Sequence, residues 1–166
     1  MPRTKTAGMV ETRNDLPADT RAALTELLNQ HLADLSDLYT QTKYAHWNVK
    51  GRSFYALHKL FDELAESVEE SVDEVAERVT ALGGLARGTA RMAAEHSRLE
   101  EFPPDTVAAE DVLRVMADRY AGTAAHVRAG IDLADEQGDQ GSADLLTGVV
   151  RMLDKSLYFI EAHLQK

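Results

Sequence analysis

The sequence contains no cysteine. Disulfides, thiolate zinc sites and cysteine nucleophiles are therefore excluded, and any metal must be held by His, Asp and Glu. That donor set favours iron, manganese or zinc in a site rich in oxygen and nitrogen. No stretch approaches the length of a membrane span, and the charged start, Met1-Pro2-Arg3-Thr4-Lys5, is not followed by the apolar run of a secretory signal. The expectation is a cytoplasmic protein with no membrane partner. Basic residues are in deficit: 18 Lys and Arg stand against 28 Asp and Glu, a formal net charge of −10. Such an acidic body repels nucleic acid and anionic lipid but concentrates cations. No segment reads as a strand, and there is no internal repeat.

What remains is a chain of 166 residues, enough for one domain with a sizeable core. Apolar residues make up 44% and charged residues 28%, the balance of a folded globular protein. Four stretches carry apolar residues at steps of three and four, the period of a helix with one buried face. The first holds Leu24, Leu28, Leu32, Leu35, Leu38 and Thr42, after a start signal at Asp15-Leu16-Pro17. The second runs through Phe54, Leu57, Phe61, Leu64, Val68, Val72, Val75, Val79 and Leu82, and Gly83-Gly84 stops it. The third holds Val112, Met116, Tyr120, Thr123, Val127, Ile131 and Ala134, introduced by Pro103-Pro104-Asp105-Thr106. The fourth holds Leu145, Val149, Met152, Ser156, Phe159 and His163, with Ser142 as its expected N-cap.

The connections around Asn48 to Ser53 and Gly138 to Gly141 are short, so each joins antiparallel neighbours. The one from Gly83 to about Asp105 is long enough to cross the bundle and to carry a short helix near Thr89 to His96. The expected fold is an all-α, ferritin-like four-helix bundle spanning residues 16–166. Residues 1–15 lack periodicity and read as a flexible N-terminal tail.

One further absence concerns chemistry. Ferritin-like di-iron bundles place Glu-x-x-His pairs on core-facing helices. The residues three before His31, His46, His58, His96, His126 and His163 are Leu28, Lys43, Tyr55, Ala93, Thr123 and Ile160, and none is Glu. The second helix offers another arrangement. His58 and Asp62 are four apart, as are Asp73 and Glu77, so each pair shares a helix face and can grip one ion. The competing reading is ordinary solvated surface, since Glu63, Glu66, Glu69, Glu70 and Glu74 crowd the same helix. His58 and Glu77 lie about 28 Å apart along a helix, too far for one metal to bridge. Two copies of the helix, antiparallel about a two-fold axis, would bring His58 and Asp62 of one to Asp73 and Glu77 of the other. His46 is placed to complete the first half.

The same residues carry a resemblance. Ala45-His46-Trp47-Asn48-Val49-Lys50-Gly51, then Leu57-His58 and Asp62, then Asp73-Glu74-Val75-Ala76-Glu77-Arg78 and Gly83-Gly84, resemble the signature of the Dps family, the mini-ferritins. Thr12-Arg13-Asn14-Asp15, Ala117-Asp118-Arg119-Tyr120, Leu153-Asp154-Lys155 and Phe159-Ile160-Glu161 extend the likeness over nearly the whole chain. The resemblance implies a hollow homo-dodecamer with iron ligands at His46, His58 and Asp62 of one subunit and Asp73 and Glu77 of its two-fold partner. It implies a ferroxidase that oxidises Fe(II), preferentially with hydrogen peroxide, stores Fe(III) mineral in the cavity and so protects DNA. Trp47 is implied to lie near the site as a radical quencher, the alternative being a buried anchor between subunits. Asp139 and Asp144 match the acidic three-fold pores through which iron passes. The family name also implies DNA binding, or nucleoid condensation with iron chemistry secondary. The tail offers Arg3, Lys5 and Arg13 for it, offset by Glu11 and Asp15, so such binding should be salt-dependent and rest on many tails acting together.

Overall fold

The computed structural model describes residues 8–165. Five helices follow one another: α1 (Ala18–Asn48), α2 (Phe54–Ala81), the short α3 (Ala90–His96), α4 (Ala109–Glu136) and α5 (Gln140–Ala162). α1 packs along α2 and α4 along α5, each pair joined by a short loop, and the long crossover carrying α3 connects the pairs. Contacts of α1 with α4 and of α2 with α5 close the four-helix bundle. Among the described residues there is no strand. One isolated bridge, Lys50 with Ala108, ties the start of α4 to the α1–α2 loop.

The apolar stripes of α1, α2 and α4 point into a common core. Leu24, Leu28, Leu32, Leu35 and Leu38 meet Leu57, Phe61, Val68, Val75, Val112, Met116, Tyr120 and Val127 there, all buried. Burying each of the large side chains is worth roughly 1.5–3 kcal/mol. α2 ends where the glycines require it. Gly83 takes φ 87°, a left-handed conformation that costs glycine little. Its N–H donates to Thr80 O while the Gly84 N–H donates to Val79 O, so the last carbonyls of the helix are satisfied.

Two expectations about α5 fail, and Phe54 of α2 departs from its stripe. The buried stripe of α5 is Ala143, Leu146, Val149, Val150, Leu153, Ser156 and Ile160. Phe159 and His163 are exposed, and Leu145 and Met152 sit at the border of the core. α5 is apolar around much of its circumference, so its own period leaves the core-facing side ambiguous. Its N-cap is Asp139, whose carboxylate accepts from the Gly141 N–H. Ser142 lies inside the helix, buried. Phe54 leaves the core to stack on His58, with ring centroids 5.2 Å apart.

The crossover is held by a polar stripe on α1 that reads in sequence as solvated surface. Asn29 donates to Leu85 O and accepts from the Arg87 N–H. Gln30 donates to His96 O, Gln41 to Glu100 O and Tyr44 to Pro104 O. Asp34, fully buried, accepts from the Arg98 backbone N–H and pairs with its guanidinium at 2.5 Å. A crossover with little secondary structure must find partners for its backbone elsewhere, and these side chains supply them.

At the N-terminal side, the Val10 N–H donates to Gly83 O, and Arg21 bonds both Leu16 O and Leu82 O. Residues 10–16 are thereby laid against the end of α2. Residues 1–7 of the expected tail, with Arg3 and Lys5, lie outside the described residues.

Candidate metal centre

The fold brings His46, His58 and Asp62 together where the end of α1 passes the start of α2. The two imidazoles stack, with centroids 3.8 Å apart and planes 18° from parallel. Each is fixed by the other's backbone. His46 Nδ1 lies 2.6 Å from His58 O, and His58 Nδ1 lies 2.8 Å from His46 O. A carbonyl oxygen can only accept, so each Nδ1 is the donor in its bond and each ring leaves Nε2 outside that pairing. This is the second-sphere arrangement that orients metal-ligating imidazoles.

His46 Nε2 points toward Asp62, 3.8 Å from its Oδ1. That same oxygen accepts from Lys43 Nζ at 2.7 Å. The hydrogen bond from Lys43, aided by the His46 and Lys43 charges, holds the Asp62 carboxyl below the usual range, and the bond to Asp62 raises Lys43. Asp62 is thus a carboxylate at neutral pH, with an ammonium standing where a cation would bind. Lys43 was not singled out by the sequence. Its separation from Asp62 by nineteen positions, across two helices, leaves no local signal.

Asp73 and Glu77 stand apart from this group, exposed on the second half of α2. Since α2 is one continuous helix, the span of about 28 Å to His58 holds. Among the described residues, no group of three or more His, Asp or Glu converges to hold an ion within one chain. The chain therefore carries two partial donor sets at opposite ends of α2.

Trp47 is 64% exposed, with Lys43 Nζ 6.0 Å from its ring centroid. It lines a surface groove with Tyr44, Leu99 and Phe102, and a second groove nearby is lined by Tyr39, Val72, Ala93 and Ala94. Both follow α1 and the crossover, and Asp37 and Thr40 line each of them as well.

The two acids at the start of α5 differ. Asp144 is exposed. Asp139 is only 5% exposed, accepts two bonds from Arg78 at 2.7 and 2.8 Å, and also accepts from Ser142. Burial acts to raise its carboxyl, but the bonds from Ser142 and Arg78 outweigh it and hold the group below the usual range. Asp139 is a paired helix cap, and Arg78, one residue after Glu77, is its counterion.

A ferritin-like domain is matched over residues 25–166. A DNA protection during starvation protein of Agrobacterium fabrum is 40% identical over 156 residues, 94% of this chain and 96% of that protein. DNA protection during starvation protein 2 of Bacillus anthracis is 33% identical, covering 85% and 96%. Among solved structures, DpsC from Streptomyces coelicolor superposes with a TM-score of 0.91 at 31% identity, over 99% of this chain and 97% of that one. An archaeal Dps homologue from Halobacterium salinarum gives 0.89 at 31% identity, over 100% and 93%. With a ferritin-like bundle and full-length likeness to proteins of this name, the chain belongs to the Dps family.

Proposed function

We propose that this protein oxidises Fe(II) with hydrogen peroxide at sites shared between two subunits, and stores the Fe(III) in the cavity of a homo-dodecamer. The observation that carries the reading is the pair of stacked imidazoles, both with Nδ1 tied to a backbone carbonyl, with His46 Nε2 3.8 Å from the Asp62 carboxylate. Two nitrogens and a carboxylate suit Fe(II), and the carboxylates Asp73 and Glu77 of a two-fold partner would add hard oxygen donors that favour Fe(III). The apolar grooves beside α1 give the partner a surface to cover. Two Fe(II) together supply the two electrons that reduce one peroxide to water, so no hydroxyl radical is released. Lys43 holds Asp62 ionised and is displaced as iron binds. Asp144, rather than the paired Asp139, is the acid of α5 free to attract iron at a three-fold pore.

Anaerobic protein loaded with Fe(II) and then given peroxide should consume about two iron per peroxide, without trappable hydroxyl radical. Oxidation no faster than in buffer, or abundant radical, would overturn the reading.

DNA protection then follows from removing the reagents that generate radicals. The relatives' names state DNA protection, and the second component of the proposal is direct DNA binding through the tail. Removing residues 1–7, with Arg3 and Lys5, is a better test than removing 1–15, because Val10 is bonded to Gly83. DNA retention in low salt should fall while iron oxidation is unchanged. Retention equal to that of the full chain would end the case for the tail.

A further inference from the structure

Lys43 and an incoming metal compete for one oxygen. Lys43 Nζ donates to Asp62 Oδ1 at 2.7 Å, and the same oxygen stands 3.8 Å from His46 Nε2. A divalent cation held between that nitrogen and that oxygen would meet the ammonium at close range, where like charges repel strongly. Lys43 must then leave Asp62. Once a partner covers this face, solvent is a poor destination, because a charge taken from water needs a counterion.

The helix geometry indicates where the ammonium goes. α1 and α2 run antiparallel here: Lys43 meets Asp62, and three positions later His46 meets His58, four positions earlier on α2. Side chains on a helix lean toward its N-terminus. The Lys43 stem therefore leans along α1 toward Tyr39, which on the antiparallel α2 is the direction of Glu66. The Glu66 side chain leans back along α2 toward Asp62, one turn before it on the same face. Glu66 is exposed and, among the described residues, in no ion pair. The bond to Asp62 raises Lys43 most, and the Glu66 charge raises it further. The other neighbour is Trp47, whose ring centroid is 6.0 Å from Nζ. Trp47 adjoins His46, so an ammonium resting there would stay beside the ion.

We propose that Glu66 is a positioning residue, the counterion that receives the Lys43 ammonium when Fe(II) takes Asp62. The proposal rests on the reading that His46, His58 and Asp62 bind iron. One ion pair replaces another: Asp62 passes to the metal, and Lys43 stays neutralised one turn further along α2.

Two experiments on the assembled full-length protein test it. Asp62→Ala, free of metal, takes away the acceptor as a bound iron would. Its crystal structure should show Lys43 Nζ paired with Glu66. An ammonium over Trp47, in solvent or on a carboxylate of the partner subunit would overturn the proposal. The second readout is anaerobic Fe(II) binding. Glu66→Gln should weaken it about five-fold, the scale of one exposed ion pair. In a Lys43→Met background there is no ammonium to house, and the same substitution should change little. Equal weakening in both backgrounds would mean that Glu66 acts on the iron directly, against the proposal. A wild type that binds no Fe(II) would take the iron reading down with it, whereas Fe(II) binding with Lys43 settled elsewhere would remove this proposal alone.

Discussion

Replacing Asp73 and Glu77 together with alanine is expected to reduce peroxide-driven iron oxidation to the rate of iron in buffer. The His46→Ala/His58→Ala protein should be equally inactive. The informative result comes from mixing the two inactive proteins under conditions that dissociate and reassemble subunits. If each site takes its histidines from one chain and its distal carboxylates from the partner, a mixed dimer has one site with both halves intact and one with neither. Random pairing makes about half of the dimers mixed, with one of two sites working, so about a quarter of the wild-type fast phase should return. A centre contained within one chain would return nothing. No recovery from a fully reassembled mixture would remove the shared-site reading, whatever the fate of each variant alone.

The second large effect concerns stability in mild acid. Burial, with help from the Arg98 and His126 charges and against the pull of Asp34, lowers His31 from 6.5 to about 4. The folded protein keeps this ring neutral while the unfolded chain protonates it near pH 6.5. Stability is therefore intact above pH 6.5 and is lost as pH falls toward 4, below which both states are protonated. The loss accumulates at about 1.4 kcal/mol per pH unit, or about 3 kcal/mol per subunit over the window. Asp62 and Asp139 work in a different range, since their lowered carboxyls weaken the fold only below the ordinary carboxylate pKa. Metal-free wild-type and His31→Leu proteins, compared at equal concentration by thermal unfolding at pH 7 and pH 5, should diverge. The wild type should lose about 2 kcal/mol more than the variant on acidification. Equal losses would show that His31 does not carry the acid sensitivity.

By itself, the sequence determined the helical class, the close of α2 at Gly83-Gly84, the length of the crossover and which residue types are available as metal donors. These are local properties. A 3.6-residue period, a glycine free to adopt positive φ and the count of positions between His58 and Glu77 all survive whatever the rest of the chain does. The absence of Glu-x-x-His and the helical reach of about 28 Å were enough to divide the donors into two sets. What the tertiary structure decided are matters of partnership between residues far apart in the chain. The side of α5 that faces the core depended on neighbours, because that helix is apolar on several sides. Asn29, Gln30, Asp34 and Gln41 became anchors because the crossover passes over them, some sixty positions away in sequence. Asp139 turned from a free acid into a cap because Arg78 reaches it from α2. Lys43 found Asp62, while among the described residues both nitrogens of His31 and the Nδ1 of His126 found no partner. A polar side chain has several acceptable partners, and only the packing of distant helices selects one or withholds it.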